Sequence, residues 1–293
     1  VVIGFTLAVL AFTKEGDGVM IQTPVYPPFH SSVIKNNRIL VENQLVENEG
    51  YYTIDFEDFE KKIRENNVKL FILCNPHNPV GRAWTKEELE SMAEICLKYD
   101  VKIFSDEIHS DLILKGHKFN SILSLDEKYR KIIMAAMAPS KTFNLAGLTA
   151  STVLIPDKDL RKSYHKVSSS LSIGMINIFG LTALEAAYRH GEQWLNEVMN
   201  YIEDNFDYMI DFVKENMPGV KCRKPEATYL GWLDFREIYP KQNELDDFLI
   251  NKAKVGLNSG LTFGKQGEGF ARINLGCPRN ILEEALNRIK NAL

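Results

Sequence analysis

A repeated alternation of short apolar segments with longer segments of helical periodicity is the feature that most constrains the fold of this chain. Residues 69–74 (K-L-F-I-L-C) form a continuous apolar segment of strand length, and residues 86–99 follow with a helical pattern. Thr85 and Glu88 add a capping box at the start of that helix. Strands that are apolar on both faces and alternate with helices are typical of a parallel sheet covered on both sides. We therefore predict an α/β fold with a mainly parallel sheet sandwiched by helices.

The same periodicity assigns the other elements. We predict further strands at residues 19–22, 38–42, 101–105 and 132–137, and helices at residues 1–12 and 55–65. A long helical pattern at 192–216 then leads away from the sheet, and it is followed by predicted strands 228–235 and 269–275 and predicted helices 244–255 and 280–293. This order predicts a large domain at residues 1–190 and a smaller α+β domain at residues 191–293.

The overall composition restricts the class of partner. The chain has 293 residues, 45% hydrophobic and 25% charged, and its formal net charge of -4 provides no basic face for nucleic acid. No apolar run approaches the roughly 20 residues of a membrane helix, and no signal segment opens the sequence. We therefore expect a cytoplasmic protein whose partners are small molecules.

The cysteines and histidines predict no metal site. Cys74, Cys96, Cys222 and Cys277 lie far apart without a C-x-x-C pair, so we predict reduced cysteines packed in the core. Four histidines have no carboxylate or cysteine at ligand spacing and are predicted to lie on the surface or in loops: His77, His117, His165 and His190.

Three polar clusters follow three of the predicted strands. They are residues 75–82 (N-P-H-N-P-V-G-R), residues 106–112 (D-E-I-H-S-D-L) and residues 138–148, which contain Lys141. Because open α/β sheets bind ligands at the carboxyl ends of their strands, we expect the three clusters to converge on one site.

Lys141 has the setting of a Schiff-base lysine. It lies in a polar turn among Phe143, Leu145 and Leu148. Partial burial among such neighbours disfavours the charged amine and lowers a lysine pKa, which an amine needs in order to attack a carbonyl. On this turn alone, an ordinary surface lysine is the alternative.

Asp106, Asn78 and Tyr26 suggest what such a lysine would act with. Asp106 follows core-like residues, and a buried carboxylate needs a cationic partner, for which a protonated ring nitrogen is suited. Asn78 lies between two prolines and can offer its amide to a ligand. Three prolines hold Tyr26 in T-P-V-Y-P-P-F, where its ring could stack on a flat cofactor or pack on the core.

Four motifs in order now carry a resemblance to a known family. They are N-P-V-G with Asn78, S-D-E-I-H with Asp106, S-K with Lys141 and Gly147, and A-R-I-N with Arg272. Together they resemble the fold-type I pyridoxal-phosphate enzymes of the class I/II aminotransferase group. The longer strings N-P-H-N-P-V-G-R, S-D-E-I-H-S-D-L, S-K-T-F-N-L-A-G-L and I-N-L-G-C-P-R are most similar to the MalY/PatB-type cystathionine β-lyases.

The resemblance implies pyridoxal 5'-phosphate as the cofactor and a role for each matching residue. Lys141 would bind the cofactor covalently and later move the Cα proton, and Asp106 would pair with the pyridine nitrogen. Asn78 and His109 would bond the phenolic oxygen, and Tyr26 would stack on the ring. Arg272, with Asn78, would bind the substrate α-carboxylate, for which a planar guanidinium is suited.

The phosphate-binding residues depart from the aminotransferase pattern. Many aminotransferases have a serine and an arginine where this chain has Ala138 and Thr149. Ser140 remains, and Val1 and Val2 match the end of a turn that donates backbone N–H groups from a helix N-terminus. The loss of the arginine favours the lyase branch of the family.

The resemblance therefore implies a carbon–sulfur β-lyase that cleaves cystathionine or related cysteine conjugates to a thiol, pyruvate and ammonia. It also implies a homodimer with active sites at the subunit interface. Because the chain starts at Val1 without a methionine and inside an apolar run, we expect the N-terminal part of the large domain to be missing and the chain to be incomplete as a catalyst. An aminotransferase of class I/II is one alternative, and a non-catalytic cofactor-binding sensor domain of a transcription regulator is another.

Overall fold

A computed structural model of the protein describes all residues from 1 to 293. The strands are β1 (Gly18–Thr23), β2 (Ile39–Gln44), β3 (Val46–Asn48), β4 (Tyr51–Thr53), β5 (Val68–Cys74), β6 (Lys102–Asp106), β7 (Ile133–Met137), β8 (Thr152–Leu154), β9 (Lys221–Cys222), β10 (Leu230–Asp234), β11 (Asn258–Ser259) and β12 (Phe270–Asn274). The helices are α1 (Val2–Phe12), α2 (Pro28–Ile34), α3 (Phe56–Glu65), α4 (Lys86–Lys98), α5 (Pro139–Thr142), α6 (Lys158–Ser170), α7 (Ile178–His190), α8 (Glu192–Asn216), α9 (Gln242–Asp247) and α10 (Arg279–Ala292).

The large sheet has the predicted, mainly parallel character. Its strand order is β2-β1-β5-β6-β7-β8, and only β8 runs antiparallel to its neighbour. Phe71 and Leu73 of β5 join one hydrophobic core, whereas Leu70 and Ile72 join another. Since successive side chains of a strand point to opposite faces, the sheet is covered on both sides. The predicted α/β class is confirmed.

A smaller antiparallel sheet follows in the C-terminal part. Its order is β11-β12-β10-β9, and it packs with α8, α9 and α10 around buried side chains that include Phe206, Phe235 and Phe248. The central pair β10–β12 sets Trp232 opposite Arg272. The predicted strand at 228–235 begins only at Leu230, because Thr228 adopts a left-handed backbone conformation with φ 75. The predicted helix at 244–255 is α9 followed by a π-helical turn at Phe248–Lys252.

The cysteines and one histidine differ in part from expectation. All four cysteines are free; Cys74 and Cys96 are buried, whereas Cys222 and Cys277 are half-buried at the border of the C-terminal core. Core packing therefore holds in full only for the first two. His77 lies in a loop, as predicted, but it is 0% exposed. No helix of the structure combines the length and the apolar character that crossing a membrane requires.

Candidate active site

The carboxyl ends of β5, β6 and β7 lie side by side, as the sequence predicted. The register sets Cys74 beside Asp106 and Asp106 beside Ala136, so the three polar clusters leave the sheet at one edge. A cavity of about 500 Å³ opens there. All nine predicted site residues line this cavity: Val1, Val2, Tyr26, Asn78, Asp106, His109, Ser140, Lys141 and Arg272.

Asp106 ends β6 and is 4% exposed. Its carboxylate accepts a hydrogen bond from the backbone N–H of Ile108 at 3.1 Å. Burial raises the pKa of Asp106 to about 6, although the N–H of Ile108 and the charge of Lys141 act in the opposite direction. Burial makes the ionised form of this carboxylate unfavourable. A cationic ligand beside it would stabilise that form.

Lys141 lies on α5, a single helical turn that follows β7. Pro139 lies in the first turn of α5, where a backbone N–H would have no partner within the helix, so the N–H that proline lacks is not missed. The N–H of Phe143 donates to the carbonyl of Pro139 at 2.8 Å. The segment predicted as a polar turn is therefore helical. Lys141 is half-buried and faces the cavity together with Asp106 and His109.

His109 is a buried, neutral imidazole. Burial, helped by the charges of Lys141 and Arg272, lowers the pKa of its ring to about 3. Its Nδ1 is buried without a hydrogen-bond partner, and the edge of its ring meets Tyr229 with the centroids 5.8 Å apart. A neutral imidazole offers one donor and one acceptor, so His109 retains hydrogen-bonding capacity that a ligand can use.

Arg272 lies on β12 and reaches the cavity from the C-terminal sheet. Its guanidinium donates to Asn78 Oδ1 at 2.9 Å and to Asn258 Oδ1 at 2.8 Å, and it lies over the ring of Phe263 at 4.9 Å. Burial lowers the pKa of Arg272, and its Nε is buried without a partner. These neighbours are all neutral, so the guanidinium charge is available to a carboxylate ligand.

The loops that carry Tyr26 and Asn78 are bonded to each other. The backbone N–H of Tyr26 donates to the carbonyl of Asn78 at 3.1 Å, and His77 Nε2 lies 2.9 Å from the carbonyl of Pro24. Burial lowers the pKa of His77 to about 4, so this ring is neutral and can donate to that carbonyl. The two loops therefore present Tyr26 and Asn78 to the cavity as one unit.

The end of the cavity beside α1 suits an anion. The helix begins at Val2, and its N-cap Val1 supplies no side-chain acceptor to the N–H groups of the first turn. Such groups and the helix dipole attract negative charge. Ser140 lines the same cavity, whereas Thr149, which adopts φ 51, brings no cation to it.

Tyr229 is a cavity residue that the sequence analysis did not find. It lies between His109 and the start of β10, and burial raises the pKa of its hydroxyl while Arg272 opposes that change. From the sequence, Tyr229 was one residue of the predicted strand 228–235. The left-handed backbone of Thr228, which precedes it, has no recognisable sequence pattern. Asn274, at the end of β12, lines the same cavity and was also missed. No group of three His, Cys, Asp or Glu side chains is arranged to hold a metal ion.

Comparisons with known proteins are consistent with this arrangement. The family model for aminotransferases of class I and II matches residues 4–289. The chain is 46% identical over its whole length to cystathionine beta-lyase PatB of Bacillus subtilis (strain 168) and covers 76% of that protein. It is 32% identical to protein MalY of Escherichia coli (strain K12), with 96% of this chain and 72% of that one aligned. Among solved structures, cystalysin from Treponema denticola, which contains pyridoxal 5'-phosphate, matches with a TM-score of 0.97 and 40% identity over 99% of this chain and 74% of its own.

Proposed function

Because the chain belongs to the class I and II aminotransferase family, we propose that it is a pyridoxal-phosphate-dependent carbon–sulfur β-lyase of the cystathionine β-lyase type. The observation that carries this proposal is the full-length, 46% identity to a cystathionine β-lyase, together with the matching motifs around Lys141 and Asp106. The substrate is an amino acid with sulfur on Cβ, and the products are a thiol, pyruvate and ammonia.

The residues of the cavity fit the cofactor. Asp106 would bind the ring nitrogen, since its buried carboxylate gains from a cation, and Asn78 with the unpartnered His109 would bind the phenolic oxygen. Tyr26 would pack on the ring face. Ser140 and the amide groups of Val1 and Val2 at the start of α1 would bind the phosphate. When bound, pyridoxal phosphate supplies a ring that withdraws electrons from the substrate Cα.

The protein's own groups then bind the substrate and move its proton. Arg272 binds the α-carboxylate with its charged fork, and Asn78 contributes its amide from the same hydrogen-bonded pair. The amine of Lys141 takes the Cα proton, which is general-base catalysis by a positioned side chain. The Cβ–S bond then breaks with its electron pair leaving on sulfur as a thiolate, and water converts the remaining fragment to pyruvate and ammonia.

The test uses cystathionine without any keto acid. We expect homocysteine, pyruvate and ammonia in equal amounts, because elimination needs no amino-group acceptor. Turnover that requires a keto acid and releases no ammonia would instead make the protein an aminotransferase. Thr149, which stands where many aminotransferases have arginine, favours the lyase outcome.

We further propose a cytoplasmic homodimer with domains at residues 1–190 and 191–293. The domain limits are supported by the large sheet, which ends at β8, and by the C-terminal core, which draws mainly on residues from α8 onward. Exposed apolar side chains just before and within α7 support a second copy as partner; among them are Met175, Ile178 and Phe179.

A further inference from the structure

The lysine that carries the chemistry lies on an element too short to hold its own shape. The helix α5 has four residues, and its N-cap Ala138 makes no side-chain cap bond. Isolated helices shorter than roughly 12–15 residues are marginal in water. The position of Lys141 must therefore be fixed by contacts outside α5.

One such contact is a hydrogen bond between Thr142 and Asp111. Thr142 directly follows Lys141 and is 2% exposed. Its hydroxyl donates to the Asp111 carboxylate at 2.8 Å, and the Tyr188 hydroxyl donates to the same oxygen at 3.5 Å. Asp111 belongs to the loop that leaves the sheet at Asp106. The bond therefore connects the loop of Asp106 to the helix of Lys141.

The loop that carries Asp111 is itself held in place. The N–H of Leu112 bonds the carbonyl of His109 at 3.0 Å, and the carbonyl of Leu112 accepts from the N–H of Thr228 at 2.7 Å. The two ends of the loop are closed by Glu107. Its fully buried carboxyl group accepts from the Ser121 hydroxyl at 2.7 Å and from the Ile122 N–H at 2.9 Å. A rigid loop thus presents a fixed acceptor to Thr142.

We propose that Asp111 is a positioning residue for Lys141 and acts through Thr142. The proposal rests on the proposed function, since it concerns the same lysine. The flexible side chain of Lys141 has to reach both the cofactor and the substrate Cα, and a misplacement of about 1 Å can cost about 100-fold in rate. At the C-terminal end of α5, the ring of Phe143 packs against Tyr188 at 5.6 Å and Trp194 at 5.8 Å. Asp111 supplies the polar half of this support.

The test removes the bond from each side in the cofactor-loaded protein. Thr142→Val deletes the donor with little change of shape, and Asp111→Ala deletes the acceptor. We expect each to lower kcat for pyruvate formation about 10- to 100-fold with little change of KM, as for an effect on geometry rather than on substrate binding. Thr142→Ser keeps the hydroxyl and Asp111→Asn keeps an acceptor oxygen, so both should retain most of the rate.

A second measurement is independent of turnover. Pyridoxal phosphate is added to the apoprotein, and its covalent attachment to Lys141 is followed by absorbance. We expect Thr142→Val and Asp111→Ala to slow attachment about 10-fold. Asp111→Ala also removes the longer contact to the Tyr188 hydroxyl, so it should be the slower of the two; the double variant should be no slower than Asp111→Ala, because both changes break the same Thr142–Asp111 bond. The control Ser91→Ala removes an exposed hydroxyl that bonds only the carbonyl of Glu87, and it should match the wild type.

The proposal would be overturned by wild-type attachment rates in both deletion variants, by multiplicative losses in the double variant, or by failure of Thr142→Ser to restore the rate. A loss explained by a lower melting temperature alone would also overturn it. The proposed function fails differently: a wild-type protein that attaches the cofactor but releases no pyruvate would refute the lyase, and the attachment rates would still decide the role of Asp111.

Discussion

At the scale of single residues, burial sets the protonation states of the site. Burial raises the pKa of Asp106 to about 6 and lowers that of His109 to about 3. The acid therefore gains from a cationic ligand, whereas the imidazole stays neutral near neutral pH. These two states are what the ring nitrogen and the phenolic oxygen of the proposed cofactor need. The sequence indicated both residues and the burial of Asp106, but not the burial of His109.

Replacing Lys141 by alanine should abolish turnover and leave the fold intact, because the half-buried amine belongs to no ion pair in the structure. The direct measurement is borohydride reduction of the cofactor-loaded protein followed by peptide mass mapping. The label is expected on Lys141 in the wild type and on no residue in Lys141→Ala. A reduced cofactor found on another lysine would refute the assignment.

Glu107 should make the stability of the protein pH-dependent. Burial raises its pKa from 4.5 to about 7, although Ser121, Ile122 and Ser105 donate to it. A group whose pKa is raised in the folded state contributes its full stabilisation at pH values below its unfolded pKa. That contribution is lost as the pH rises through the pKa of the folded state. The free energy of unfolding of the wild type should therefore fall as the pH rises from about 4.5 to about 7. A protein with a glutamine at this position should lack that fall.

Glu107→Gln isolates this contribution, since its amide oxygen can still accept from Ser105 and Ile122, its NH2 group can donate to the Ser121 hydroxyl, and it cannot titrate. Relative to the wild type, the variant should gain about 1–3 kcal/mol in free energy of unfolding between about pH 5 and pH 8. Urea unfolding of both proteins at the two pH values measures the difference. Equal changes in the two proteins would show that the carboxyl group does not titrate in this range.

At the scale of elements, the helices that the sequence predicts correctly are those with a long hydrophobic periodicity or recognisable capping residues. The helix expected at 192–216 is α8 with the same bounds, because its apolar stripe persists over 25 residues. The short hairpin β3–β4 was missed, since three-residue strands carry no periodicity. Tyr229 was missed for a different reason. Its place in the site depends on the left-handed Thr228 and on long-range packing, which no local pattern records.

The structure confirms the predicted capping box of α4, and a substitution can measure how much it contributes to stability. Thr85 Oγ1 accepts from the N–H of Glu88 at 3.1 Å, and the Glu88 carboxylate accepts from the N–H of Thr85 at 2.8 Å. Thr85→Ala should lower the free energy of unfolding by about 1 kcal/mol, because an N–H of the first turn loses its acceptor. Thr85→Ser keeps the acceptor and should stay close to the wild type. Urea midpoints that are alike for Ala and Ser would contradict this role.

At the scale of the whole molecule, Arg82 joins the C-terminal part to the large sheet. It is 3% exposed, and it donates to Glu226 at 2.9 Å and to both oxygens of Glu88 at 2.9 Å. Its guanidinium also lies 4.7 Å over the ring of Trp84. Glu226 is followed closely by Tyr229 and β10, whose partner strand carries Arg272. The strand that carries Arg272 is thus tied to the large sheet, which β7 links to the helix of Lys141.

Large apolar side chains near α7 are exposed on the surface of the chain. Met175 is 99% exposed, Phe179 is 75% exposed and Ile178 is 73% exposed. Large contiguous apolar patches are rare on monomers and mark interaction surfaces. A second copy of the chain is the occupant proposed above, since the patch surrounds Asn177, whose side chain donates to the carbonyl of Leu148 at 3.0 Å in the loop beside the site.

Phe179→Asp should therefore convert the proposed dimer to a monomer, because a carboxylate at this position would have to be desolvated without a partner in the interface. Ile250→Asp is the matched control, since Ile250 is 62% exposed on the π-helical turn, away from α7. Sedimentation velocity of the three proteins at equal concentration measures the masses. We expect a dimer for the wild type and the control and a monomer for Phe179→Asp, with cystathionine cleavage lost in the monomer if the partner completes the site. A Phe179→Asp protein that sediments like the wild type would place the subunit contact elsewhere on the molecule.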